Sequence, residues 1–389
     1  MQYLKTKRMR TLTYLFLSCF LLASCNLNKN NTCYLTGKVV NRNSTALILK
    51  KMTDSHMNRE IEIQIDSTGC FHYELNFEFI EAYELIFKDE LDRWSWRPIL
   101  FFPDGDTIKF TLYSLQKADS NKIVGSELSI KENIYTQTLK DEFNGQFAFW
   151  YQELDSLESM NETNSDYAKV VSDKIDSLNK EWFWFELRYT EKEINLYGSS
   201  KFITILHSEK DRKLFPLDTL IRYYNLFQHK FPNHPYYEIS QYRINALKNI
   251  EVGGTYVDFT APNLHDVNTT LSNYISKNKL TLLDLWAPWC EPSIQKSKNT
   301  IPLFEEFNDL GFGVIGVIGD IQSKESFIQA IEKYKYPWTM LSEVNDKNNI
   351  WEKYGIPKSG GSQFLIDNTG KILAINPTPD ELRKLILNE

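Results

Sequence analysis

Residues 281–293 constrain the fold more than any other stretch of this chain. Thr281 to Trp286 is a nearly continuous apolar strand, interrupted only by Asp284, and four residues later Cys290 stands where a helix opens. Val314–Ile318 reads as a second buried strand, Gln363–Asp367 as a third, and Lys371–Ile375 as a fourth after the Asn368-Thr369-Gly370 turn. At Thr378-Pro379-Asp380-Glu381 the last helix begins. Thr378 can cap the free amides, Pro379 suits the first helical position, and Glu381 completes a capping box. From Val252 onward the order is therefore strand, helix, strand, helix, strand, strand, helix, which predicts an α/β domain over 251–389.

The rest of the chain follows other periods, so the predicted fold class is multidomain. From 34 to 118 short strands are broken by turn residues, with strict alternation in Glu60-Ile61-Glu62-Ile63-Gln64-Ile65-Asp66, which predicts a small antiparallel β-domain. Asp104-Gly105-Asp106 lies between two apolar stretches and reads as a hairpin turn; a calcium loop would need more oxygen ligands at fixed spacing. From 119 to 250 long charged amphipathic segments such as Tyr167 to Glu193 predict a helical region. Within it Trp182-Phe183-Trp184-Phe185 points around most of a helix circumference, which fits core packing better than a ligand platform. His229 and His234 read as surface histidines, since the local sequence supplies no further metal ligands.

The N-terminus is a targeting segment. Lys5, Lys7, Arg8 and Arg10 precede an apolar run from Leu12 to Leu22 that is short for a membrane span, as in a secretory signal. Leu22-Ala23-Ser24-Cys25 resembles the lipobox of bacterial lipoproteins, which implies a signal peptide over 1–24, acylation of Cys25, and a lipidated tether over 25–33. The mature protein is then expected in the envelope of a Gram-negative-type bacterium, lipid-anchored and facing the periplasm. Of five cysteines, Cys19 leaves with the signal and Cys25 carries lipid, so Cys33, Cys70 and Cys290 remain. Cys33 shares a strand face with Leu35 and Val39, whereas Cys70 lies opposite the face of Phe71, Leu75 and Phe77, which argues against a disulfide between them. A formal net charge of −7, with no dense Lys/Arg patch, argues against nucleic acid as a partner.

Val252-Gly253-Gly254-Thr255-Tyr256-Val257-Asp258-Phe259-Thr260-Ala261-Pro262, Leu282 to Cys290, Tyr354-Gly355-Ile356 and Phe364-Leu365-Ile366-Asp367 together resemble the TlpA/ResA-like thioredoxin family of envelope proteins. The resemblance covers roughly the last third of the chain and implies a thioredoxin fold and thiol-disulfide exchange. Cys290 is then the nucleophile, favoured as a thiolate by backbone amides and the positive end of a helix dipole. Trp289 would shield its sulfur, as the family's tryptophan does. Asp284 occupies the slot of the buried acid that serves the second cysteine, and burial should raise its pKa.

Two positions depart from the family pattern. Ser293 stands where the second cysteine belongs; its hydroxyl can donate to a Cys290 thiolate but cannot attack a disulfide. Asp284 is therefore either an inherited feature or a group that serves the Cys290 proton through water. Gly361, within Ser359-Gly360-Gly361-Ser362, occupies the slot of the family's cis-proline, which predicts a looser loop facing the sulfur. No metal or cofactor is implied, because no second soft ligand lies near Cys290 in sequence. A peroxiredoxin-type peroxidase would need a hydroxyl three residues before the cysteine, and that position is Ala287.

Two functions fit. One is a membrane-anchored protein exchanging protein or small-molecule disulfides through a single cysteine, with an external thiol as reductant. The other is a non-catalytic binding lipoprotein that keeps the fold for its surface.

Overall fold

A computed structural model describes residues 31–42, 44–54, 61–93, 97–357 and 360–387. The signal segment, the Cys25 attachment site and residues 25–30 of the expected tether lie outside the described residues, as does Ser359; residues 31–33 are not tether but the start of the first strand.

The first region is built from β1 (Asn31–Val40), β2 (Ala46–Lys51), β3 (Ile61–Gln64), β4 (Cys70–Phe77), β5 (Tyr83–Phe87), the short α1 (Lys88–Asp92), β6 (Ile99–Phe101), β7 (Thr107–Tyr113) and β8 (Lys122–Val124). They form two four-stranded sheets, ordered β4-β1-β7-β8 and β3-β2-β5-β6. Alternate residues of both sheets, among them Leu35, Leu47, Phe71, Leu85 and Ile108, share one core, as in a sandwich. Two expectations are corrected here. β1 and β7 pair in parallel, from Tyr34↔Thr107 to Val40↔Tyr113, so the region is not wholly antiparallel. Residues 104–106 are not a hairpin turn either: β6 pairs with β5 in one sheet and β7 with β1 in the other, so this segment carries the chain between sheets. The Asp104 carboxylate then accepts from the Leu128 amide at 2.8 Å, at the start of the next helix.

Register separates the two cysteines of this region. Cys33 stands opposite Leu75 and Cys70 opposite Lys38, and both thiols are free. Burial pushes the Cys33 thiol up to about 11, so it is an inert part of the core.

Helices follow: α2 (Glu127–Leu139), a π-turn (Lys140–Asn144), α3 (Gly145–Ser159), α4 (Asp166–Lys192), α5 (Leu196–Arg212), α6 (Leu217–Lys230) and α7 (Pro235–Asn249). The four consecutive aromatics of α4 do point to different neighbours. Trp182 meets Phe147, Trp184 meets Phe215, and Phe185 meets Phe143, with ring centroids 5.7, 4.9 and 5.6 Å apart. His229 is exposed, whereas His234 is half-buried. It caps α7 by accepting from the Tyr236 amide at 3.2 Å through Nδ1, while Nε2 meets the Ile80 carbonyl at 3.1 Å. Burial lowers its pKa, so it stays neutral and bonds on both ring nitrogens.

The last region comprises β9 (Thr260–Pro262), β10 (Asn268–Thr270), α8 (Leu271–Ile275), β11 (Leu280–Trp286), α9 (Glu291–Phe307), β12 (Phe312–Ile321), α10 (Lys324–Tyr334), β13 (Thr339–Val344), α11 (Ile350–Tyr354), β14 (Ser362–Asp367), β15 (Ile372–Ile375) and α12 (Pro379–Leu387). Its five-stranded sheet is ordered β13-β12-β11-β14-β15, with β11, β12 and β13 parallel and β14 and β15 antiparallel. Apolar clusters cover both faces, which is why β11 and β12 read as continuous hydrophobic runs. The expected capping box opens α12: Glu381 accepts from the Thr378 amide at 2.8 Å, and Thr378 Oγ1 accepts from the Glu381 amide at 3.3 Å. Sequence patterning does not mark the short β9 and β10, nor β13 within the main sheet. Ser342 and Glu343 of β13 are buried, and Glu343 accepts from the Asn348 and Ile350 amides at 3.0 Å, so the acid caps α11 and breaks the apolar signature.

Candidate thiol site

β11 delivers the chain to the site along the middle of the sheet. Trp286 at its end is fully buried and meets Tyr334 and Tyr336 edge to face at 5.1 and 5.2 Å. The Tyr334 hydroxyl donates to the Pro288 carbonyl at 3.1 Å, and the Tyr336 hydroxyl to the Ile294 carbonyl at 3.3 Å. These two tyrosines hold the turn between β11 and α9.

Cys290 is the N-cap residue of α9 and is 7 % exposed. Its carbonyl accepts from the amides of Ser293 and Ile294, both at 3.0 Å. The sulfur makes no capping hydrogen bond, so the expected support from backbone amides does not take that form. Ser293 also departs from expectation. Its hydroxyl donates to the Cys290 carbonyl at 2.8 Å, the local side-chain-to-backbone bond that serine commonly makes in a helix.

Trp289 is half-buried, and its indole N–H donates to Asp320 Oδ2 at 2.6 Å. Asp320, at the end of β12, holds a left-handed backbone with φ of 53°. No sequence pattern singles it out. Beside the indole lies a groove of about 430 Å³ lined by Pro288, Ile321, Ala330 and Tyr334 among others.

Asp284 is 1 % exposed and fully partnered. Ser297 donates to one carboxylate oxygen at 2.6 Å and Gln363 to the other at 3.1 Å. Burial pushes its pKa up to about 6, against the pull of those two hydrogen bonds and of Lys296. Ser297 also donates to the Ser293 carbonyl at 3.1 Å, so the acid meets the Ser293 segment through its backbone and not through the hydroxyl. Ser297, Gln363 and Lys296 come from α9 and β14, and only the packing of that helix on that strand brings them to Asp284.

The Gly361 loop is tighter than expected. A β-carbon at Gly361 would lie 2.2 Å from the Leu285 carbonyl oxygen and 2.9 Å from the Ser293 β-carbon, so the backbone itself occupies the place of a side chain. The Trp351 indole donates to the Gly360 carbonyl at 2.9 Å, and Asn376 donates to Ser362 Oγ at 2.9 Å. On its other side the loop borders a cavity of about 840 Å³, shared with Phe215 and Leu220 of the helical region.

Cys290, Trp289, Ser293, Asp284 and Gly361 thus gather around the start of α9. Cys33 and Cys70 belong to the sandwich, so no second described thiol stands beside Cys290. Among the described residues no group of three His, Cys, Asp or Glu side chains is placed to hold a metal ion.

Residues 252–375 match the AhpC/TSA family. Over 117 residues the chain is 29 % identical to the thiol:disulfide interchange protein DsbE of Allochromatium vinosum, covering 30 % of this chain and 60 % of that relative's length. Among solved structures, the thioredoxin domain of a thiol-disulfide oxidoreductase from Bacteroides vulgatus matches at 25 % identity and a TM-score of 0.32, covering 36 % of this chain and 98 % of that one. A thiol:disulfide interchange protein from Bacteroides sp. matches at 26 % identity and a TM-score of 0.32, covering 36 % and 90 %. The C-terminal region of this chain is a thioredoxin-like domain of the AhpC/TSA family, with thiol-disulfide oxidoreductases among its relatives.

Proposed function

We propose that the chain is a lipid-anchored, periplasm-facing envelope protein that exchanges disulfides through Cys290 alone. The observation that carries this reading is the first turn of α9: one thiol at the helix start, with the serine in the second position turned onto a backbone carbonyl. A Cys290 thiolate attacks a disulfide, forms a Cys290 mixed disulfide with one half, and releases the other half as a thiolate. An external thiol then attacks the adduct, regenerates Cys290 and leaves as part of a new disulfide. Electrons balance within each exchange, so the chemistry suits isomerisation or deglutathionylation, and net reduction needs two equivalents of external thiol. Substrates are envelope protein or small-molecule disulfides, and the anchor is acylated Cys25.

Incubation of the full chain with a glutathionylated peptide tests this directly. A persistent adduct on Cys290 is expected, absent in Cys290→Ala. Ser293→Cys should shorten its life by closing an internal disulfide. Identical adducts with and without Cys290 would sink the proposal.

The near-burial of Cys290 and the lack of a capping hydrogen bond to its sulfur favour a second reading, in which the domain binds a partner without chemistry. On that reading the peptide binds equally well to Cys290→Ala and no adduct forms.

A further inference from the structure

Arg243, in the middle of α7, is 2 % exposed and reaches from the helical region into the thioredoxin-like domain. Its Nε donates to the Glu352 carboxylate of α11 in a close buried ion pair. Its Nη2 donates to Nδ1 of His207 in α5 at 2.9 Å; a guanidinium only donates, so the imidazole is the acceptor. α11 has five residues and cannot sustain itself as a helix. It is held at its start by Glu343, in its middle by Arg243, and at its end by the Tyr354 hydroxyl, which donates to the Val257 carbonyl at 2.8 Å.

The residue beside Glu352 is Trp351, whose ring lies so close to Gly319 that a β-carbon there would come within 2.4 Å of it. With the ring fixed in that slot, its N–H reaches the Gly360 carbonyl at 2.9 Å. The next residue, Gly361, lies against Leu285 and Ser293 at the first turn of α9. A continuous series of contacts therefore joins α7 to Gly361, which packs against Ser293 three residues beyond Cys290. The C-terminal half of α7 supports it further, because Ala246 and Ile250 share an apolar cluster with Leu285, Trp351 and Tyr354.

We propose that Arg243 and Trp351 are positioning residues for the thiol site: through α11, the helical region sets how closely the Gly360–Gly361 loop lies over the start of α9, and so how open Cys290 is. This rests on the reading of Cys290 as a reactive thiol. The helical region is then part of the site's control and not a spacer.

The test is the pH dependence of iodoacetamide labelling at Cys290 in the full chain, with thermal melting followed in parallel. Trp351→Phe keeps a ring beside Gly319 and removes the donor to Gly360. Arg243→Met removes the guanidinium, and Arg243→Lys keeps a cation against Glu352. Labelling should accelerate by about threefold or more in Trp351→Phe and Arg243→Met, with a displaced pH midpoint, and return towards the unmutated rate in Arg243→Lys. A merely structural role would lower the melting temperature and leave the midpoint in place. If Arg243→Met does not fold, Trp351→Phe carries the test. Labelling that is the same in the variants as in the unmutated chain, whether fast or slow, overturns the proposal. The reading of Cys290 itself fails separately, if the unmutated chain forms no adduct with the glutathionylated peptide.

Discussion

At the scale of single residues, Asp284 and Gly361 show why a side chain's identity and its surroundings have to be read together. A carboxyl with a folded pKa near 6 and an ordinary value of 3.8 binds its proton more tightly in the folded state. The contribution of this group to stability is therefore fully present at low pH, falls as pH rises from about 4 to about 6, and then levels off. Asp284→Asn removes that dependence. At pH 7 the variant should be more stable by up to about 3 kcal/mol, a gain that disappears below about pH 4, as urea denaturation at a series of pH values would show. Gly361 predicts the opposite sense. A proline or alanine there is strained, because the β-carbon has no room beside the Leu285 carbonyl. Gly361→Ala should cost about 1–3 kcal/mol in the same measurement.

At the scale of elements, the strands of the C-terminal sheet were legible wherever burial on both faces made them uniformly apolar, as in β11 and β12. β13 was not, since its buried Glu343 serves a helix that follows it. The start of α12 was legible because a capping box is a local device, complete within four residues. The partner of the Ser293 hydroxyl was not legible for a related reason. Its residue type permits donation to either the sulfur or the carbonyl, and the turn geometry selects the carbonyl.

At the scale of the whole molecule, α7 is the element that joins the regions. Its first turn meets the sandwich, where the Ala82 amide donates to the Tyr236 hydroxyl, and its middle meets α11 through Arg243. Tyr236 is 2 % exposed, so Tyr236→Phe would leave a buried amide without an acceptor. A loss of about 1–3 kcal/mol is expected in chemical denaturation of the full chain, with the C-terminal sheet otherwise unchanged by hydrogen exchange.

By itself the sequence determined the α/β class of the last third with four of its strands, the placement of Cys290 at a helix start and the raised pKa of Asp284. Each of these depends on local periodicity, a cap, or the burial of one group in one strand. Only the tertiary structure decided that β1 and β7 run parallel, that Ser297 and Gln363 satisfy Asp284, and that the Trp351 indole reaches the Gly360 carbonyl. Those facts depend on pairs of residues far apart in the chain, and a one-dimensional pattern carries no record of which pairs meet.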